Sequence, residues 1–164
     1  RPTLSIKDGF FNDPTEEQIS AYGNDVIQEV RNRNVRGLRE LYKKGGKSMS
    51  CCNRFGESLI HMACRRGFLD VVKFLITEAG VSLRVRDDYG RTPLHDACWT
   101  PDPNFDLMDV LIKTDPDLLF LSDKRGSSPL EYVRRAHWDR WVTFLDSRQD
   151  FLMPRDLVCA NENV

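Results

Sequence analysis

Long apolar runs are missing from this chain of 164 residues. Stretches such as Phe74-Leu75-Ile76 and Leu118-Leu119-Phe120-Leu121 are short, whereas a membrane span needs about 20 apolar residues, so a soluble protein is expected. Charge of one sign is missing too. Lys and Arg number 24 against 25 Asp and Glu, a net charge of -1, which removes any global attraction to nucleic acid or an anionic membrane. Cysteine is sparse and odd in number: Cys51, Cys52, Cys64, Cys98 and Cys159 do not make the dense even set of a small disulfide scaffold. Reduced thiols and an intracellular setting, cytoplasmic or nuclear, are expected. The chain opens at Arg1 with no basic start leading into an apolar stretch, which reads as a trimmed chain, a processed form or a fragment, with the loss of a targeting peptide left open.

Catalytic signals are also thin. Gly45-Gly46-Lys47-Ser48 imitates the end of a phosphate loop, but Leu41 stands where the upstream glycine belongs. No carboxylate pair falls at a recognisable spacing for acid–base work. The chain is therefore expected to be no enzyme and to carry no cofactor.

What is present is a repeat. Gly56-Glu57-Ser58-Leu59-Ile60-His61-Met62-Ala63-Cys64 aligns with Gly90-Arg91-Thr92-Pro93-Leu94-His95-Asp96-Ala97-Cys98, and again with Gly126-Ser127-Ser128-Pro129-Leu130-Glu131-Tyr132-Val133. Each copy is followed by apolar residues at i, i+3, i+6 and i+7: Leu69, Val72, Leu75 and Ile76, then Phe105, Met108, Leu111 and Ile112, then Trp138, Trp141, Phe144 and Leu145. That spacing marks one face of a helix. Val35, Leu38, Leu41 and Tyr42 supply a fourth stripe upstream. Each unit then carries a Gly turn, a short inner helix opened by Ser or Thr, in two copies followed by Pro, a break, and an outer amphipathic helix. One such hairpin cannot bury both faces, so the units must stack. At 164 residues the stack amounts to one domain.

These residues resemble the ankyrin repeat, with its period near 33 and its T-P-L-H-x-A motif. Thr92-Pro93-Leu94-His95-Asp96-Ala97 matches fully, while the first copy departs at Ser58 and Leu59 and the third at Glu131. The resemblance implies an all-α fold, an ankyrin-repeat solenoid of stacked helix-turn-helix units with short finger turns. An N-terminal extension with a capping helix is expected over residues 1–24, about four repeats over 25–147 and a tail over 148–164. Asp13-Pro14-Thr15-Glu16 reads as an N-cap for a helix spanning Pro14 to Tyr22, with Phe10 and Phe11 stapling it to the first repeat. The first unit keeps only its helix pair, with Val26 to Val30 inside, and Phe151-Leu152-Met153 is expected to close the far end.

The repeat also disposes of two tempting chemistries. His61 and Cys64 with His95 and Cys98 superficially supply two His and two Cys for zinc. Equivalent positions in stacked units lie about 8–10 Å apart, too far to converge on one ion with ligand distances of about 2.0–2.3 Å. No metal site is expected. Nucleophilic catalysis by Cys64 or Cys98 would need both copies active on a surface without visible oxyanion donors. The resemblance gives the histidines a hydrogen-bonding role in the turn and the cysteines a packing role. Cys51-Cys52 reads as a loop thiol pair.

A surface remains. In the ankyrin arrangement the finger turns and inner helices form a concave face across which partners lie. By register, Arg54, Phe55 and Glu57 flank one finger, Asp88, Tyr89 and Arg91 the next, and Lys124, Arg125 and Ser127 the third. Met62, Arg65, Arg66, Asp96, Trp99, Thr100, Tyr132 and Arg135 face the wall. Trp, Tyr and Arg are the residue types that dominate interface hot spots. The expected function is a protein-interaction module, acting as adaptor, regulator or assembly subunit and monomeric alone. Its expected partner is a protein with an acidic segment, attracted by Arg54, Arg65, Arg66, Arg91, Lys124, Arg125 and Arg135. One alternative is the recognition part of a larger enzyme or channel. Another is a nucleic-acid surface, disfavoured because Glu57, Asp88 and Asp96 interrupt the basic strip.

Overall fold

A computed structural model describes residues 9–45 and 47–152. They form a row of helical hairpins with no strand among them. After a short helix α1 (Glu16–Ser20), unit one pairs α2 (Asn24–Arg31) with α3 (Val35–Lys43). Unit two pairs α4 (Leu59–Arg65) with α5 (Leu69–Lys73), which continues as a wider π turn over Phe74–Glu78. Unit three pairs α6 (Pro93–Trp99) with α7 (Phe105–Thr114) and a 3-10 turn at Pro116–Phe120. In the last unit, 3-10 turns at Pro129–Tyr132 and Arg135–His137 precede α8 (Trp138–Asp146), and α9 (Gln149–Leu152) follows.

The inner elements stack in chain order, α2 on α4, α4 on α6 and α6 on Pro129–Tyr132, with α5 against α7 behind them. One continuous apolar core runs between the two layers, and Leu38, Leu59, Ile60, Val72, Leu75, Leu94 and Leu111 are wholly inaccessible in it. Cys64 and Cys98 are buried among these residues, where a small weakly polar side chain packs between helices.

Four local expectations need correction. The last inner segment is a 3-10 turn rather than an α-helix, because Val133 and Arg134 adopt extended backbone and end it after one turn. Trp138, placed on the buried stripe by spacing, is 51% exposed, while Trp141 and Phe144 of the same stripe are buried. The amino-terminal helix starts at Glu16, capped by Thr15, whose hydroxyl accepts from Gln18 N–H while Gln18 Oε1 accepts from Thr15 N–H. Phe10 and Phe11 do not staple it to unit one. They lie under the guanidinium groups of Arg84 (4.3 Å) and Arg86 (4.5 Å), and Asn12 N–H donates to the Arg84 carbonyl at 2.9 Å. The extension thus straps across unit two to the chain that enters the finger of unit three. Leu152 packs on the core; Met153 and the rest of the tail lie outside the described residues.

On the convex side, arginines reach one unit along to acids: Arg33 to Asp70 (2.8 Å), Arg39 to Glu78 (2.7 Å), Arg84 to Asp115 (2.7 Å) and Arg148 to Asp109 (2.7 Å). The exposed pairs among them, Arg33–Asp70 and Arg39–Glu78, contribute about 0–1 kcal/mol each, so they align units more than they hold them.

Candidate protein-binding surface

The fingers are built by one device used three times. Asn53, Asp87 and Asp123 each stand three residues before the turn glycine. Each side-chain Oδ1 accepts from two backbone N–H groups of its own finger: Phe55 and Glu57, Tyr89 and Arg91, Arg125 and Ser127, at 2.9–3.1 Å. Gly56 and Gly90 sit at φ +77° and +78°, and a Cβ there would lie 2.7 Å from the Arg86 carbonyl and 2.9 Å from Lys124 N. Only glycine fits, because both the backbone sign and the neighbouring finger exclude a side chain. Adjacent fingers are tied by Asp88 N–H to the Phe55 carbonyl and Lys124 N–H to the Tyr89 carbonyl, both 2.9 Å.

Histidine links each helix to the next finger. His61 Nδ1 lies 2.8 Å from Ser58 Oγ, and Nε2 lies 2.9 Å from the Arg91 carbonyl. His95 repeats this with Thr92 Oγ1 (3.0 Å) and the Ser127 carbonyl (3.0 Å). Both ring nitrogens of each histidine are thereby occupied within the fold, leaving neither free to ligate a metal. In the third copy Glu131 takes the capping part, accepting from Ser128 N–H.

Burial holds the His95 imidazole below the usual histidine pKa, with the Ser127 carbonyl acting in the opposite sense. The sign follows from linkage. The unfolded chain binds that proton more readily, so stability falls as pH drops below about 6.5. Urea midpoints between pH 7.5 and 5.5 are expected to decline, before the lowered carboxylates of Asp25, Glu78, Asp109 and Asp123 add their own loss at lower pH. A flat or rising midpoint over that range would contradict the assignment.

The fingertips carry exposed Arg54, Phe55, Asp88, Tyr89, Lys124 and Arg125. Phe55 and Tyr89 are 49% and 58% exposed, and with Glu57, Asp87, Asp88 and Arg91 they line a groove of about 350 Å³. Arg54 lies over the Phe55 ring at 4.6 Å and Arg91 over Tyr89 at 4.9 Å. Trp99, also 49% exposed, is not part of this groove. It stands at the far end of α6, edge-on to Tyr132 at 6.4 Å and under Arg134 at 4.6 Å. The three aromatics thus form two platforms, one at the tips and one on the wall.

The wall is less basic than register suggests. Arg65 is bound to Glu57 and to Asp96, the latter at 3.3 Å, and Arg91 to Asp87 at 2.7 Å. Met62 and Asp96 do not present themselves to a partner: they are 7% and 3% exposed, because each sits on an inner helix flanked by neighbours. Burial raises the Asp96 carboxyl, against the pull of His61 and the two arginines. Thr100 is buried as well, donating to the Asp102 carbonyl at 2.8 Å. Arg66, though exposed, lies beside Gly67 and Thr100 at the loop end, away from the fingers. Among the described residues, Arg54, Arg66, Lys124, Arg125 and Arg135 have no carboxylate within ion-pair distance, leaving their charge available.

Asp87, Asp123 and Arg134 are the residues sequence reasoning passed over. The first two carried a visible sign, Asx-x-x-Gly in all three copies. Arg134 carried none, since it reaches Trp99 only because the inner helix of its unit is cut short. Cys51 and Cys52 are buried free thiols, and burial pushes Cys51 up to about 12, which makes it a poor nucleophile. Among the described residues no group of three or more His, Cys, Asp or Glu gathers as a metal site, and no helix is long and apolar enough to cross a membrane.

Comparison with known proteins agrees with this geometry. Residues 26–120, more than half of the chain, match the family model for ankyrin repeats (3 copies). The chain is 26% identical over 148 residues to mouse diacylglycerol kinase iota, covering 89% of the chain but 14% of that protein. It is 28% identical over 109 residues to the bovine SMC5-SMC6 complex localization factor protein 1, covering 57% of the chain and 10% of that protein. With the Arabidopsis thaliana ADP-ribosylation factor GTPase-activating protein AGD2 it shares 30% identity over 86 residues, 52% of the chain and 11% of that protein. The chain therefore spans a small part of the length of the curated relatives it matches. Repeat motif, finger frame and family match agree that this chain belongs to the ankyrin-repeat family.

Proposed function

We propose that this chain is a non-catalytic protein-interaction module, an adaptor, regulator or assembly subunit, monomeric alone, whose partner lies across the fingertips and the inner-helix wall. The observation that carries this reading is the pair of aromatic platforms, Phe55 with Tyr89 and Trp99 with Arg134, held exposed on a hydrogen-bonded frame that does not need them for packing. Large exposed aromatics beside arginine are the groups that supply interface energy when a partner desolvates them. Charge steering falls to Arg54, Lys124 and Arg125, since Arg65 and Arg91 are committed to internal pairs.

Affinity purification from the source cell, followed by titration of the recovered partner, tests it. Tyr89→Ala or Trp99→Ala is expected to weaken binding by about 2 kcal/mol, roughly 30-fold, with the circular dichroism unchanged. Reversal of Lys124 and Arg125 to Glu is expected mainly to slow association, with the loss shrinking in high salt. If the triple change at Phe55, Tyr89 and Trp99 leaves affinity intact while removal of residues 154–164 abolishes it, the reading fails. The similarity to a diacylglycerol kinase and to an ADP-ribosylation factor GTPase-activating protein supports a second reading, in which such a module recognises targets for an enzyme in the same polypeptide.

A further inference from the structure

The three fingertips carry an alternating charge that neither net composition nor the basic strip reveals. Arg54, Asp88 and Lys124 occupy equivalent places in successive fingers, with Phe55, Tyr89 and Arg125 next to them, and all six are exposed. The sign along the row is therefore positive, negative, positive. The middle position is the best defined, because Asp88 shares its groove with Phe55 and Tyr89. Its side chain makes no hydrogen bond or ion pair among the described residues; only its backbone N–H is used, toward Phe55. A carboxylate sharing a groove with two aromatic rings is a receptor for a cation, which gains the charge and the ring surface that Arg54 and Arg91 leave open.

The spacing of the row limits what can read it. Equivalent tips repeat with the helices stacked behind them, about 8–10 Å per unit. A β-strand does not match, because residues three apart point to opposite faces. A polyproline II segment does: it has three residues per turn and rises about 3.1 Å per residue, so every third side chain returns to the same face after about 9.3 Å.

We infer that the fingertips bind an extended, polyproline II-like protein segment with a Lys or Arg seated between Phe55, Asp88 and Tyr89 and an Asp or Glu three residues to either side, against Arg54 and Lys124. The inference rests on the finger-and-wall face being the protein-binding surface, and it replaces a uniformly acidic partner with one of alternating sign. Lys124 with Arg125 makes the last contact the stronger of the two acidic ones. The aromatic groove suits such a segment, which enters with little conformational freedom left to lose.

The test is selection of a random 12-residue peptide library displayed on phage against the full chain and against Asp88→Lys. Asp88 has no side-chain bond to lose, so this variant is expected to fold, which circular dichroism checks. The wild type is expected to enrich sequences with acid, base and acid at intervals of three, and Asp88→Lys to turn the middle preference to Asp or Glu. A synthetic peptide of the enriched sequence is expected to lose about tenfold in affinity on Asp88→Lys, and as much when one glycine is inserted between its first acid and its base. No enrichment over the starting library, uniformly acidic winners, or a middle preference unmoved by Asp88→Lys each overturns the inference. Peptides that need Phe55 and Tyr89 but tolerate Asp88→Lys leave the surface reading standing and remove only the charge register. Peptides bound equally well after Phe55→Ala with Tyr89→Ala remove both.

Discussion

Replacing Leu75 or Leu111 by alanine is expected to cost about 2–5 kcal/mol of folding stability. Both side chains are wholly inaccessible and lie where one hairpin meets the next, Leu75 from unit two and Leu111 from α7. The loss combines the transfer of several methyl and methylene groups with the void left behind, because stacked helices relax only partly into it. The two sites also sit in neighbouring units, so the double variant tests coupling across the stack. Urea midpoints unchanged within error for both single variants would mean that the helical register is wrong. In a quasi-linear array each unit is stabilised chiefly by its neighbours, so either change is expected to lower the cooperativity of unfolding as well as the midpoint.

The second large effect is expected at His95. Its imidazole joins Thr92 to the Ser127 carbonyl and lies edge-on to Tyr132 at 5.1 Å. Alanine would strand the Thr92 and Ser127 partners and open a void, at a cost of about 2–4 kcal/mol. The location of the damage is more informative than its size. Amide hydrogen exchange is expected to quicken in the finger Asp123–Ser127, one unit beyond the substitution, while the finger Asn53–Glu57 keeps its protection. Tyr132 adds a second anchor there, donating its hydroxyl to Asp123, and burial together with that carboxylate pushes the phenol up to about 12. Equal acceleration in both fingers would show that His95 stabilises the chain only globally.

The repeat was legible because it is local. A glycine with positive φ, a Ser or Thr cap and apolar residues three and four apart are each set by a few neighbouring residues, and the structure places inner and outer helices where those marks fall, except for the last inner segment, which is a 3-10 turn. The surface was only partly legible. Register put Phe55, Tyr89 and Trp99 outside correctly, but a helix wheel does not show that the inner elements on either side of α6 bury Asp96 or that Arg65 and Arg91 are tied to acids 8 residues before and 4 residues before them. Spacing also put Trp138 on the core side, yet the shortened inner turn of its unit leaves little for it to cover. The path of Phe10 to Asn12 along Arg84 and Arg86 is a long-range pairing that no periodicity encodes.

Two of the links between units, the histidine struts and the convex ion pairs, differ in what they ask of the sequence, and this governs how units can be exchanged. The histidine strut ends on a main-chain carbonyl, an acceptor that every residue provides. A unit moved to a new place, or inserted from another array, would find that partner waiting. The convex pairs end on particular carboxylates 37 or 39 residues away, so the same transplant would leave Arg33, Arg39 or Arg148 facing whatever the new neighbour carries. Recombination of units in this chain is therefore permissive on the finger side and selective on the convex side. Chimaeras joined within the loop between an outer helix and the next finger should stack in every case, and should differ from one another mainly in how their outer helices are aligned.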